Sequence, residues 1–271
     1  MLIAQITDTH IRMPGTLAYG VVDTAAYLEK AVAHLNALPA RPDVLLVTGD
    51  LTDFNRPEEY ARFQALTASL AMPLLPIPGN HDSTAGLAAA FPAIAARTRA
   101  GKLNYLIEDF PVRLVMLDSS VPGAPHGELG PQTLGWLEET LAAAPDRPTL
   151  IALHHPPFLT GIHHMDVQNL RDADALEAVV ARHPQVLALV CGHVHRTVFT
   201  RFAGATTSIC PSPAHAVSLD FDPSGEPGFH MEPPGLHLHR FDAGRLVTHL
   251  SFIGTYDGPH PFFGAEKRLL R

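Results

Sequence analysis

The chain has 271 residues, of which 46% are hydrophobic and 17% charged, and carries a formal net charge of −8. This is ordinary globular composition with ample core material, enough for one domain or one domain with a small extension. The acidic balance and the lack of a basic run argue against a phosphate-tracking nucleic-acid surface, and no apolar run is long enough to cross a bilayer. Two isolated cysteines, Cys191 and Cys210, indicate no disulfide framework. With the first strand starting at Leu2, no removable leader is expected, and a reducing cytoplasm is the expected compartment.

The elements alternate through the first two hundred residues. Leu2–Ile6 is a predicted strand. A helix is expected over 23–38, with Asp23 as its N-cap and Leu28, Ala31, Leu35 and Leu38 on one face. Strands follow at 43–48 and Leu74–Ile77, separated by a helix that Pro57 opens and that turns Tyr60, Phe63, Leu66 and Leu70 inward. An Ala-rich helix is expected over 85–97, a strand over 113–117, a helix over 131–144, a strand over 149–153, a helix over 172–183 and a strand over 186–190. This rhythm predicts an α/β sheet covered by helices. Beyond His195 helical patterning stops and strand-like pieces appear at 197–202, 206–209, 216–221, 236–241 and 246–252, with Pro and Gly dense between 211 and 235. Residues 1–200 thus form the expected core. Residues 201–271 are expected to complete a second sheet and to add a cap or dimerisation extension.

Five polar clusters stand where apolar strands end: Asp8-x-His10, Gly49-Asp50, Gly79-Asn80-His81-Asp82, His154-His155 and Gly192-His193-x-His195. Ligand sites of parallel sheets lie beyond the carboxyl ends of their strands, so these clusters can converge. Together they offer seven oxygen and nitrogen donors: Asp8, His10, Asp50, Asn80, His154, His193 and His195. That is too many for one tetrahedral ion, and suits two metals sharing a carboxylate, an arrangement used for hydrolysis. On extended backbone, residues two apart point the same way, so Asp8 with His10 and His193 with His195 can each reach one ion. His154 and His155 are adjacent and point apart, so only one of them is a ligand. Asn80 offers a neutral carbonyl oxygen suited to a borderline divalent cation. Gly49, Gly79 and Gly192 allow sharp turns and close approach to an ion.

In this order the clusters resemble the calcineurin-like metallophosphoesterases. The longer stretches Gly49-Asp50-Leu51-Thr52-Asp53, Pro57-Glu58-Glu59-Tyr60 and His154-His155-Pro156-Pro157 are similar to the class III cyclic-nucleotide phosphodiesterases and their glycerophosphodiesterase relatives. The resemblance implies a sandwich of two mixed β-sheets flanked by α-helices, with two divalent metals (iron, manganese, zinc or cobalt) at one end. It implies that Asp8, His10 and His195 hold the first metal, that Asn80, His154 and His193 hold the second, and that Asp50 bridges them. His81 faces the substrate, where it protonates the leaving alkoxide or binds a phosphoryl oxygen; His155 stands behind the ligands. Tyr19, near the pocket mouth, and His215, lining the pocket, are the further substrate-binding candidates. Two divalent ions, two carboxylates and one metal-bound hydroxide leave a net single positive charge, matched to a phosphodiester monoanion. A small diester is therefore the expected substrate.

Two alternatives compete with this expectation. Phosphatases of the superfamily carry arginine after the second Asp of Gly-Asp-x-Val-Asp-Arg-Gly, whereas Phe54 follows Asp53 here, so no guanidinium clamp for a phosphoryl dianion is evident. A non-catalytic scaffold would have lost ligands, and none is lost. His237-x-His239 is read as alternation on an exposed strand, His163-His164 as a solvated loop, and Asp118-Ser119-Ser120 as a hydrogen-bonded brace. The strand pieces of the tail leave edges that need cover, and relatives dimerise there, so at least a homodimer is expected.

Overall fold

The structure, a computed structural model, describes residues 1–269. Strands β1 (Leu2–Ile6), β2 (Val44–Thr48) and β3 (Leu74–Ile77) pair in parallel. Both faces of β2 are buried, which is why it reads as an unbroken apolar run rather than an alternation. Helix α1 (Thr24–Ala37) crosses between β1 and β2, and the Asp23 carboxylate caps it by accepting from Ala26 N. Helix α2 (Pro57–Thr67) begins on its proline, whose missing N–H costs nothing at that position. Leu28 and Leu35 of α1 and Phe63 of α2 join Ile3 and Leu45 in one core.

The Ala-rich helix expected over 85–97 is instead two short ones, α3 (Thr84–Ala90) and α4 (Pro92–Ala95). Pro92 interrupts it: proline disfavours helical backbone in the residue before it, and Phe91 sits at φ −123°. A strand absent from the sequence reading, β4 (Tyr105–Ile107), pairs antiparallel with β5 (Arg113–Met116). The second sheet continues through helix α5 (Gly130–Ala142), strand β6 (Thr149–Ala152), helices α6 (His163–Asp166) and α7 (Ala173–Val180), strand β7 (Val186–Cys191), and the hairpin β8 (Val198–Phe202) and β9 (Ala205–Ile209). Its strand order is β4-β5-β6-β7-β9-β8. Leu137 and Leu141 of α5 and Leu176 of α7 cover its outer face at Val115, Ile151 and Leu189. Its inner face, at Leu114, Leu150 and Val190, packs into the core shared with the first sheet.

The tail is divided between the two sheets. Only β8 and β9 extend the second. After a small ribbon of β10 (Ala216–Val217) and β11 (Phe229–His230), strands β12 (Gly235–Asp242) and β13 (Arg245–Phe252) extend the first, which has the order β13-β12-β1-β2-β3. The reason is the free edge of β1, against which β12 pairs antiparallel along Leu2–Gln5.

This placement corrects the reading of His237 and His239, which are buried rather than exposed. Alternation on β12 does exist, but its histidine face turns toward the second sheet. His239 Nε2 lies 3.1 Å from Gln5 Oε1, and Gln5 Nε2 donates to Thr48 Oγ1 (2.9 Å) and to the carbonyl of Cys191 (3.0 Å). The Gln5 amide therefore ties β1, β2 and β7 together beneath their carboxyl ends. Burial holds both imidazoles neutral, lowering His237 to about 4 and His239 to about 3. Among the described residues no helix is long and apolar enough to cross a membrane.

Candidate metal centre

The carboxyl ends of β1, β2, β3, β6 and β7 open on one end of the sandwich, and each ends in one of the polar clusters. The first sheet contributes Asp8, His10, Asp50 and Asn80, and the second contributes His154, His193 and His195. The backbone at these residues is not extended, contrary to the expectation for the two i, i+2 pairs. Asp8, His10, Asp50, His193 and His195 all adopt positive φ, between 42° and 74°. Non-glycine residues held this way cost of order 1–3 kcal/mol each and persist only where the surroundings impose them. Here the loop after β1 runs alongside the loop after β2, with Asp8 N donating to Gly49 O, His10 N to Asp50 O and Ile11 N to Leu51 O. The left-handed residues, not strand alternation, bring the side chains together.

Hydrogen bonds select the free donor atom of nearly every group. Asp8 Oδ2 accepts from Thr7 Oγ1 (2.6 Å) and His193 N (2.9 Å), whereas Oδ1 is buried without a hydrogen-bond partner, 3.2 Å from His195 Nε2. Asp50 Oδ1 accepts from His81 N (2.8 Å), leaving Oδ2 3.7 Å from His10 Nε2 and 3.5 Å from His154 Nε2. Asp53 Oδ1 lies 3.2 Å from His10 Nδ1, which leaves Nε2 facing His195 Nε2 at 3.2 Å. His154 Nδ1 donates to Thr48 O (2.7 Å), which turns its Nε2 toward Asn80 Oδ1, 3.2 Å away. His193 Nε2 is buried without a partner. Outer hydrogen bonds of this kind orient histidines for metals.

The donor set fits divalent metal binding. Metal–ligand bonds near 2.0–2.1 Å place neighbouring donors about 3.0–3.4 Å apart, close to the separations found. Asp8, His10 and His195 form one set, and Asp50 Oδ2 stands between that set and Asn80 with His154. Orphaned buried atoms at Asp8 and His193 are groups that an ion would satisfy. Burial acts to raise Asp8 and Asp50, but is outweighed, chiefly by His195 for Asp8 and His154 for Asp50, so both remain carboxylates. His155 is packed 4.8 Å from the His193 ring, with Nδ1 2.8 Å from Ser119 Oγ, and burial keeps it neutral.

A cavity of about 630 Å³ lies over these donors. His81 enters it, about one-third exposed, with its ring 4.6 Å from that of His10. Its Nδ1 is 3.0 Å from the carbonyl of Asp53 and 3.4 Å from that residue's Oδ1. Burial acts to lower His81, but the carboxylates of Asp50 and Asp53 outweigh it and raise it to about 10. On the opposite wall, Tyr19 packs against His215 (5.4 Å) and Phe229 (5.1 Å), and His215 lies 4.6 Å from His195. Burial and the adjacent His195 and His10 lower His215 to about 2, so it is neutral.

Several residues at the site were not assigned a role from sequence. Asp53 gathers His10, His81 and Arg12, whose Nε is 3.4 Å from Oδ2. Asp82 accepts from Leu51 N, Thr52 N, Tyr60 Oη and Gly79 N, tying the β3 loop to the β2 loop. Their signal was present as the aspartate that ends each motif, Gly49-Asp50-Leu51-Thr52-Asp53 and Gly79-Asn80-His81-Asp82. His163 and His164 do not form a loop. They begin α6, whose entry is closed by Asp166 accepting from Thr160 N and Gly161 N, and His164 lines the cavity.

Comparison with known proteins agrees with this arrangement. Residues 1–197 match the profile of the calcineurin-like phosphoesterases. The chain is 40% identical, over 100% of both sequences, to a probable glycerophosphodiester phosphodiesterase of Arcobacter nitrofigilis. It is 35% identical to the 3',5'-cyclic adenosine monophosphate phosphodiesterase CpdA of Escherichia coli K12, over 77% of this chain and 76% of that one. A dimetal phosphatase from Danio rerio shares the fold at a TM-score of 0.64 and 15% identity, over 93% of this chain and 99% of that one. The strand-end donors, the two-sheet sandwich and the profile match coincide, and the chain belongs to the calcineurin-like phosphoesterase family.

Proposed function

We propose that the protein is a two-metal phosphodiesterase acting on small anionic diesters. The observation that carries this reading is the position of Asp50 Oδ2, within 3.7 Å of His10 Nε2 and 3.5 Å of His154 Nε2, between two sets of free donors. Asp8, His10, His195 and Asp50 would hold one cation, and Asp50, Asn80, His154 and His193 the other. Two divalent cations there supply Lewis acidity toward the phosphoryl oxygens and make water acidic enough to react near neutral pH. His81, held at Nδ1 by Asp53, presents Nε2 to the cavity and protonates the leaving oxygen. Tyr19, His215 and Phe229 position the substrate from the far wall.

The absence of an arginine clamp favours a diester over a monoester. Phe54 occupies the position after Asp53, and nearby Arg12 is engaged with Asp53 Oδ2 and Leu17 O (2.8 Å). The relatives named as glycerophosphodiester and cyclic-nucleotide phosphodiesterases support the same class. Under identical metal loading, bis(p-nitrophenyl) phosphate is expected to show higher kcat/KM than p-nitrophenyl phosphate. A monoester preference would move the assignment to a phosphatase.

Elemental analysis after reconstitution with manganese, zinc, iron or cobalt is expected to approach two metals per chain. Asn80→Ala should lose the second metal first, because it removes a neutral oxygen from that set alone. Saturation at one metal in the unmodified protein would overturn the binuclear reading.

The assembly reading rests on β13, an eight-residue edge strand with Val247, Leu250 and Phe252 exposed. An unpaired edge of this kind seeks a partner strand, and a second copy of this chain supplies one. Light scattering at micromolar concentration is expected to give a mass of at least two chains; a clean monomer would leave β13 unpartnered. Both cysteines are buried free thiols, which supports the cytoplasmic reading.

A further inference from the structure

A second cavity, of about 830 Å³, opens beside the metal centre. It shares only Asn80 and His81 with the first among the described residues. The donors His10, Asp50, His193 and His195 line the first cavity and are absent from the second. His81 is thus a partition between a chamber that faces the candidate ligands and a chamber that does not.

Two carboxylates, Asp53 and Asp82, and the His81 imidazole line the second chamber. Among the described residues no lysine or arginine lines it. Its hydroxyls are engaged internally: Ser83 Oγ donates to Asn55 Oδ1 (2.9 Å), and Thr84 Oγ1 and Ser120 Oγ both donate to Asp118 (2.6 Å each). The Asp82 carboxylate is consumed by backbone amides and Tyr60, and Asp53 by His10, His81 and Arg12. What remains to meet a ligand is flat and weakly polar. The Phe54 ring is 53% exposed, with the Arg12 and Arg56 guanidinium carbons 4.8 and 5.4 Å from its centroid, and Val121, Pro122 and Ala124 add further apolar surface.

We propose that this second cleft receives the leaving alcohol of an acyclic phosphodiester, an uncharged aryl or polyol group bearing no further phosphate. The inference rests on the diesterase reading and extends it to the substrate's shape. In an in-line displacement the leaving oxygen departs opposite the attacking one. Attack comes from the chamber lined by the candidate ligands, so departure is directed past His81. A P–O bond forms to the oxygen of water and the P–O bond to the alcohol breaks. The departing alkoxide takes the proton of His81, and a proton released by the water restores His81. The products are a monoester, kept in the first cavity, and a free alcohol in the second. A cyclic nucleotide keeps its leaving oxygen on the ribose already held in the first cavity and gains nothing from the second. The second cleft therefore favours acyclic esters.

Filling the cleft tests the assignment. Ala124 is half-buried and Ala85, in the first turn of α3, is exposed, so tryptophan at either position projects into the cavity without entering the core. Ala124→Trp and Ala85→Trp are each expected to lower kcat/KM for bis(p-nitrophenyl) phosphate on the order of tenfold, mainly through KM. The inhibition constant of inorganic phosphate, which needs only the first cavity, should stay unchanged in both. Unchanged kcat/KM in both variants would overturn the proposal, as would a parallel weakening of phosphate. If the unmodified protein cleaved only p-nitrophenyl phosphate, the diesterase reading would fall. The leaving p-nitrophenol is the same in that substrate, so its KM in the two variants would still decide the cleft.

Discussion

Replacing His81 with alanine is expected to slow hydrolysis of an alkyl phosphodiester, whose alcohol leaves poorly without a proton, by roughly 10²–10⁴-fold, the usual contribution of a positioned acid or base. The two metals should remain. His81 touches the candidate ligands through its backbone, with His81 N donating to Asp50 Oδ1, and that bond survives truncation of the side chain. The imidazole is oriented from behind by the Asp53 carbonyl and carboxylate, which supports the proposed role of proton donor over that of structural prop. The measurement pairs steady-state kinetics with elemental analysis of the same preparation. A drop in bound metal that tracked the drop in rate would make His81 a scaffold residue. A further check uses the leaving group: an ester of a very acidic alcohol needs little protonation and should lose less activity in His81→Ala than an ester of an ordinary alcohol.

Gly79→Ala is expected to damage both metal positions at once. A Cβ on Gly79 would stand 2.1 Å from Asp50 Oδ1 and 2.5 Å from Asp50 N, and the second contact is to backbone that no rotamer change relieves. Either the loop before Asn80 or the Asp50 backbone must shift. In the proposed assignment Asp50 is the shared donor and Asn80 belongs to one set, so both sets would lose geometry. Misplaced supporting groups around metal ligands typically cost 10–100-fold in affinity, and here the displaced group is a proposed ligand itself. Reconstituted Gly79→Ala should therefore hold fewer than two metals per chain at loadings that saturate the unmodified protein. Gly135→Ala in α5 is the control, since nothing lies within 4 Å of its added Cβ. That variant should keep its metals and lose no stability, as alanine favours helix over glycine. Normal metal content in Gly79→Ala would mean that the strand-end loops yield more readily than their packing implies.

The sequence by itself determined the strand–helix rhythm and the donor types. Runs such as Val44–Thr48 are apolar on both faces, and Pro57 and Asp23 mark helix starts through local chemistry, so these elements were legible without neighbours. The five polar clusters were legible because each follows such a run. Tertiary structure decided what local chemistry leaves open. It placed β12 against β1, a pairing across more than two hundred residues that no periodicity encodes, and so turned His237 and His239 inward onto Gln5. It set the backbone of Asp8, His10, Asp50, His193 and His195 in the left-handed region, which follows from loops bonding to one another rather than from the residues' own preferences. It also assigned work to Asp53 and Asp82, whose carboxylates are ordinary in sequence and become determinants only where separate loops converge on them. Strand ends and donor types are local properties, whereas the free atom of each donor and the second cleft behind His81 arise from contacts between distant segments.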